Sequence, residues 1–282
     1  MNVFVFSNIY KDHGLVVTKQ AVQFLLQHGA HVILLQECRV LCNLTNVEYL
    51  PKEQAYEKAD LVISVGGDGT LLHAGKECIR YGLPILGINA GRLGFLATCE
   101  VSELPQKIIQ VMDGDYELDE RQMLECHTLG SVAWHANALN DVVVYAENRL
   151  QTADFSIYCD GILVNRFSSD GVIIATPTGS TAYSLSAGGP IMDAHIAGFV
   201  VTPICAHRLK SPAMVFSADR KLTISAIPRH GDAVYVSCDG SEKCALAADS
   251  TVEVALSSKK LKLISLSPAE QFEAIDKKLM GR

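Results

Sequence analysis

Asp60-Leu61-Val62-Ile63-Ser64-Val65-Gly66-Gly67-Asp68-Gly69-Thr70 is the stretch that decides the fold. Asp60–Val65 is apolar on both faces, as a parallel strand covered by helices must be. It runs into a glycine-rich turn, and Thr70–Tyr81 then carries helical periodicity closed by Gly82. The same unit repeats outward. Asn2–Ser7 reads as a strand, Leu15–Gln27 as a helix ending at His28-Gly29, His31–Leu35 as a second strand, and Leu83–Ile88 as the strand after the glycine-rich turn. Such alternation predicts an α/β domain with a parallel sheet flanked by helices over about residues 1–120.

After a helix near Glu103–Met112 the texture changes at Asp113-Gly114-Asp115. Short strands are expected at Val132–Ala138, Asp141–Ala146, Ala153–Cys159, Ile162–Phe167, Val172–Ala175, Leu222–Ala226, Ala233–Cys238, Thr251–Leu256 and Leu261–Ser265. Turns such as Asp160-Gly161 and Asp239-Gly240 separate them. This predicts a β-rich domain over residues 121–257, followed by an amphipathic helix at Ser267–Met280.

The 282 residues are 49% hydrophobic and 20% charged, which supplies a full core and excludes a disordered chain. A net charge of −7 argues against a general nucleic-acid binder. No basic-apolar leader and no run long enough to cross a membrane occurs, so a cytoplasmic protein without membrane partners is expected. The nine cysteines include no C-x-x-C and the histidines no H-E-x-x-H; the cysteines read as reduced thiols, and no residue is assigned to a protein-held metal.

Three groups of residues carry chemistry. In the turn, Gly66, Gly67 and Gly69 let backbone N–H groups approach phosphate oxygens beside a helix N-terminus. A carboxylate there opposes an anion, so Asp68 either takes a proton from a hydroxyl, faces Mg2+, or merely caps its helix. The second group is Thr176-Pro177-Thr178-Gly179-Ser180-Thr181-Ala182-Tyr183-Ser184-Leu185-Ser186-Ala187-Gly188-Gly189-Pro190, a hydroxyl-rich segment whose small residues allow close approach. The third comprises two polar pairs at strand ends, Asn140-Asp141 and Ser169-Asp170-Gly171, suited to ribose hydroxyls or a base edge and equally to turns.

Together with Ile88-Asn89-Ala90-Gly91-Arg92-Leu93-Gly94-Phe95-Leu96 and Thr202-Pro203-Ile204-Cys205-Ala206-His207, these motifs resemble the NAD kinase family in order and spacing over roughly residues 1–245. The resemblance implies Mg2+-dependent transfer of the ATP γ-phosphate to the 2′-hydroxyl of the adenosine ribose of NAD, giving NADP. It makes Asp68 the proton acceptor, the three glycines phosphate contacts, Asn140 and Asp141 the adenosine side, Asp170 the far end of the dinucleotide, and Thr181, Ala182, Tyr183, Ser184, Leu185 and Ser186 a dinucleotide-contacting segment. His73 stands where many relatives have Arg, Asp141 where Glu is usual, and Ser168 where a basic residue is common. Lys11, His207 and Ser241 are weaker candidates. The resemblance also implies a homodimer or homotetramer built through the β-rich domain and a C-terminal segment, 258–282, that returns to the first domain. A lipid or sugar kinase sharing only the glycine-rich turn, and a silent NAD-binding regulator, are the rival readings.

Overall fold

A computed structural model describes the chain except residues 92–93, 148–151, 208–210, 230–232, 241, 268 and 281–282. It divides into two compact units, Met1–Glu120 with the chain from Leu261 onward, and Arg121–Lys260.

In the first unit the chain runs β1 (Asn2–Ser7), α1 (Val16–Gln27), β2 (His31–Leu35), α2 (Arg39–Cys42), β3 (Val47–Leu50), α3 (Lys52–Lys58), β4 (Leu61–Gly66), α4 (Asp68–Tyr81), β5 (Ile85–Asn89), β6 (Cys99–Glu100) and α5 (Leu104–Asp113). The strands pair in parallel in the order β3-β2-β1-β4-β5. All six residues of β4 are buried, which is why its sequence shows no alternation. Helix α4 buries Thr70, Leu71, Ala74, Gly75 and Cys78, one helical face. Because β1 pairs with β2 on one side and β4 on the other, the strand order reverses there. Open α/β sheets bind ligands at the carboxyl ends of the strands flanking such a reversal. The loop after β1 and the glycine-rich turn after β4 occupy those ends.

The second unit is a stack of antiparallel sheets. Its strands are β7 (Glu117–Leu129), β8 (His135–Ala138), β9 (Asp141–Ala146), β10 (Ala153–Cys159), β11 (Ile162–Ser169), β12 (Gly171–Ala175), β13 (Gly198–Ile204), β14 (Met214–Ser217), β15 (Leu222–Pro228), β16 (Val234–Cys238), β17 (Glu242–Leu246) and β18 (Thr251–Ser265); a short helix, α6 (Tyr183–Ser186), lies between β12 and β13. One sheet runs β14-β13-β12-β9-β16-β17. The other has β11-β10-β15 beside the first half of β18. Inward residues of both form one core around Phe155, Phe167, Val144, Ile174, Ile224 and Val236. The opposite face of β9, β12 and β13 is also covered: Val143, Ile173 and Val200 pack on Met192, with Ala187 against them. That second, smaller core fastens the hydroxyl-rich segment to the sheet.

Several elements differ from the sequence reading. The helix after the glycine-rich turn starts at Asp68 rather than Thr70, and the strand expected over Val132–Ala138 is only His135–Ala138. Strands β3, β6, β7, β13, β14 and β17 and helices α2 and α3 were not expected. Thr251–Leu256 and Leu261–Ser265 are one strand, whose exposed middle, Ser258–Lys260, reads as a break. The terminal helix, α7, covers Glu270–Ile275 and continues as a wider turn over Asp276–Met280. It belongs to the first unit, where Lys277 pairs with Glu100 at 3.3 Å.

Phe155 is fully buried, with its ring 6.0 Å from that of Phe167. Phe155→Ala removes that packing and is expected to cost the second unit about 3–5 kcal/mol. Trp134, the single tryptophan, packs against the same core. Its fluorescence in a urea titration reports the loss as a lower midpoint.

Candidate active site

The first unit builds a carboxylate clamp at the glycine-rich turn. Asp68 makes no cap bond to its own helix. It reaches across to the loop after β5, accepting N–H bonds from Phe95 on Oδ2 (2.8 Å) and from Leu96 and Ala97 on Oδ1 (3.0 Å each). Three consecutive backbone donors thus fix both oxygens, the strongest class of neutral-donor bond to a carboxylate. Gly94 makes the approach possible, since a Cβ there would overlap the Asp68 carboxylate. Oδ1 accepts two donors and is filled; Oδ2 keeps one lone pair open. Lys278, from the C-terminal turn, places its Nζ 3.9 Å from Oδ2 and 3.9 Å from the centroid of Phe95. Arg92 and Leu93 of the same loop lie outside the described residues.

Beside this turn, Phe6–Tyr10, Glu37, Cys38, Gly69, Thr70 and His73 line a cavity of about 350 Å³. The loop is tied to the turn by Asn8, whose Nδ2 donates to Thr70 Oγ1 at 3.1 Å and whose N–H donates to Val65 O at 3.1 Å. Lys11 extends over Gly67, with its Nζ 3.5 Å from where a Cβ on that glycine would stand. Asp12 is not a surface group: it is 3% exposed and its carboxylate accepts from Val17 N, Thr18 N and Thr18 Oγ1, holding the start of α1. The His73 imidazole, against Phe6, is held below its ordinary pKa by burial and by Lys52, so it is neutral at pH 7.

The second unit repeats the clamp. Asp239, at the end of β16 and in the left-handed region with φ 51°, accepts N–H bonds from Leu139, Asn140 and Asp141 at 2.9, 2.8 and 3.2 Å. The hydroxyl-rich segment is pinned to the same place. Thr176 Oγ1 donates to Leu139 O at 2.6 Å, and Thr176 N donates to Asn140 O at 2.9 Å. A Cβ on Gly179 would collide with the Asn140 carbonyl, so only glycine lets the two backbones meet.

Around this junction lies a cavity of about 630 Å³. Of the residues singled out from sequence, Asn140, Asp141, Asp170, Ala182 and Tyr183 line it. Thr181, Ser184, Leu185 and Ser186 do not. Ser184 is fully buried and shares a 2.9 Å hydrogen bond with Thr202, so it fastens the segment from behind. Thr181 turns its hydroxyl to Thr178 O at 3.2 Å. Asp141 is 6% exposed. Its carboxyl is raised to about 7, first by burial and then by the neighbouring Asp239 charge. Ser168 bonds to Asp154, and Arg229 donates to both of them, at 3.0 and 2.8 Å. A guanidinium therefore stands beside the position where a basic residue was expected. His207 is exposed and anchored through its N–H to Ser168 O. Ser241 lies outside the described residues.

Sequence reasoning missed Lys278, which no local motif marks, and the cavity floor formed by Tyr145, Ser237 and Lys243 on β9, β16 and β17. Asp239 was visible only as an Asp-Gly turn; its carboxylate role depends on a partner about 100 residues away in the chain.

Residues 3–116 match the family model described as the ATP-NAD kinase N-terminal domain, and residues 139–266 match the ATP-NAD kinase C-terminal domain. The NAD kinase of Ectopseudomonas mendocina is 35% identical over 280 residues, covering 99% of this chain and 95% of that protein. The NAD kinase of Caldicellulosiruptor saccharolyticus is also 35% identical, covering 99% of both. Among solved structures, an Archaeoglobus fulgidus NAD kinase in complex with ATP superposes with a TM-score of 0.75 at 25% identity, covering 100% of this chain and 98% of that one. Yeast NADH kinase complexed with NADH superposes with a TM-score of 0.88 at 24% identity, covering 100% and 87%. Both halves of the chain, and the motifs that build the two clamps, place it in the NAD kinase family.

Proposed function

We propose that the chain phosphorylates NAD, moving the γ-phosphoryl group of ATP to the 2′-hydroxyl of the adenosine ribose and yielding NADP and ADP. The observation that carries this reading is the cavity of the second unit. It gathers an amide, carboxyl groups and an aromatic ring from motifs at 140–141, 170 and 182–183 that are far apart in the chain. Its 630 Å³ falls in the range of small-molecule and cofactor sites. Asn140 and Asp141 take the adenosine side, Asp170 the far end, and Ala182 and Tyr183 form the wall. Thr181, Ser184, Leu185 and Ser186 act through the shape of the segment rather than as lining groups.

Asp68 is the proton acceptor. The 2′-hydroxyl is far too weak an acid to ionise first, so the carboxylate works by orientation and late proton transfer. The proton moves to Oδ2, the oxygen with an open lone pair, as the O2′–P bond forms and the bond from the γ-phosphorus to the bridging oxygen breaks. The backbone of Gly66, Gly67 and Gly69, the Lys11 ammonium and neutral His73 face the donor phosphates beside the turn. ATP brings its divalent cation on its own phosphates. Asp68 suits that cation poorly, since Oδ1 is filled by two N–H groups and an ammonium lies 3.9 Å from Oδ2.

The homo-oligomer expected from the family is supported by exposed apolar side chains on the β-rich unit, Ile162, Leu163 and Ile227, of which Ile162 and Leu163 lie on the edge strand β11. Mass measurement in solution tests it.

Incubation with ATP, Mg2+ and NAD, followed by detection of NADP with an NADP-specific dehydrogenase, tests the activity. NADP formation is expected; its absence removes the reading. Asp68→Asn keeps an oxygen for Leu96 and Ala97 and removes the base. Turnover should fall by about 10²–10⁴-fold with NAD affinity retained. Loss of both would make Asp68 a structural clamp alone.

Asp141 gives a second test. Its carboxyl is raised to about 7 from 3.8, so the folded chain holds a proton that the unfolded chain releases. The stability this supplies is full below about 3.8 and is lost as pH rises through about 7. Asp141→Asn removes the titration. Urea unfolding at pH 6 and pH 8 should show the parent losing about 1 kcal/mol relative to the variant.

A further inference from the structure

A second group of chemically capable side chains lies elsewhere in the β-rich unit. Glu125 and His127 are two apart on β7 and therefore emerge on one face of the strand. His135, on antiparallel β8, is the direct cross-strand partner of His127. One ligand atom from each of the three lies within 4.8 Å of the other two, and the two imidazole rings sit 4.4 Å apart. They line an open cavity of about 550 Å³ together with Thr128, Trp134 and the ion-paired Lys221 and Glu253. No residue of this cavity belongs to the one that holds Asn140 and Asp170. Among the described residues, no side-chain hydrogen bond or ion pair engages Glu125, His127 or His135.

Two imidazoles and a carboxylate converging from neighbouring strands form the donor set of a zinc-type ion, which takes imidazole nitrogen and carboxylate oxygen at about 2.0–2.2 Å. Tetrahedral ligand atoms then stand about 3.3 Å apart. Side-chain rotations at the surface close the remaining gap without moving the strands. We propose that Glu125, His127 and His135 bind one divalent transition-metal ion of zinc type, with water from the cavity in the fourth position. The ion clips β7 to β8 beside the turn that Thr128 already closes through Val132 O and Trp134 N, at 2.7 Å each. The site is independent of phosphoryl transfer, and its proof needs no nucleotide.

Calorimetric titration of the metal-stripped full chain with Zn2+, without nucleotide, tests this. One ion per chain is expected, with a higher thermal midpoint in its presence. Titration with Co2+ should give the intense visible absorption of a tetrahedral site. His127→Ala with His135→Ala should weaken binding by at least about 100-fold and abolish the thermal shift. Glu125→Gln, which keeps the volume, should weaken it while leaving the metal-free midpoint unchanged. No stoichiometric uptake by the parent, or uptake that the double histidine variant keeps, overturns the proposal; the latter would move the metal to the cysteines.

Discussion

A carboxylate that accepts N–H bonds from consecutive residues of a distant loop is the interaction on which the candidate cavity of each unit depends. Asp68 holds residues 95–97 and Asp239 holds 139–141. Loops that line ligand cavities cannot satisfy their backbone donors by regular pairing, because the chain must turn away to leave space. A charged acceptor answers several donors at once and is worth more per bond than a neutral one. In each case a glycine lets a second group come close, Gly94 for the Asp68 carboxylate and Gly179 for the Asn140 carbonyl. Asp12 does the same service for the start of α1. In all three, the carboxylate fixes backbone, and Asp68 also keeps an oxygen open at the glycine-rich turn.

Rigid sheets give those clamps something to act against. The order β3-β2-β1-β4-β5 brings the loop after β1 next to the turn after β4, so the first unit's cavity follows from strand order. In the second unit, β9 and β12 are buried on both faces, one in the large core and one under Met192 and Ala187. The hydroxyl-rich segment is thereby held as firmly as a strand while remaining a turn. Its hydroxyls divide accordingly: Thr176, Ser180 and Ser184 bond inward, and the exposed Tyr183 faces the cavity.

The parallel half of the fold was legible because burial on both faces writes an unbroken apolar run, as in Leu61–Val65, and because glycine marks where it turns. The antiparallel half was legible in strands with clean alternation, such as Ala153–Cys159, and in short apolar runs, such as Asp141–Ala146 and Val172–Ala175. Strand β7 carries charges on both faces near its start, and no periodicity separates it from a loop. Strand β13 contains Pro203, which normally argues against a central strand. Its neighbour β14 pairs only as far as Val201, so at Pro203 no donor is required on that side. At the site, motif residues could be named in advance, but their division into lining groups and fasteners could not. That depends on which hydroxyl finds a buried partner. Lys278 carries no local motif, and the Glu125–His127–His135 group was invisible because its members converge only across two strands. Search patterns built on helical spacing pass over a strand pair, where residues two apart and one across the ladder are neighbours.

The single strand Thr251–Ser265 has a consequence for how the chain is made. Its first half pairs with β15 and its second with β5, through Leu263 opposite Ile85. The parallel sheet begun by β1 therefore receives its last strand only after the whole of Arg121–Lys260 has been synthesised. Until then one side of β5 along that sheet lacks its β18 partner on the nascent polypeptide. The inserted unit has all its strands, the first half of β18 included, by that moment and is the natural one to condense first. Contacts of such long sequence separation slow the final closure. The segment that follows, with Lys277 on Glu100 and Lys278 at Asp68, is then a latch set after the inserted unit has been made, and only from that point does the glycine-rich turn have these two ammonium groups near it.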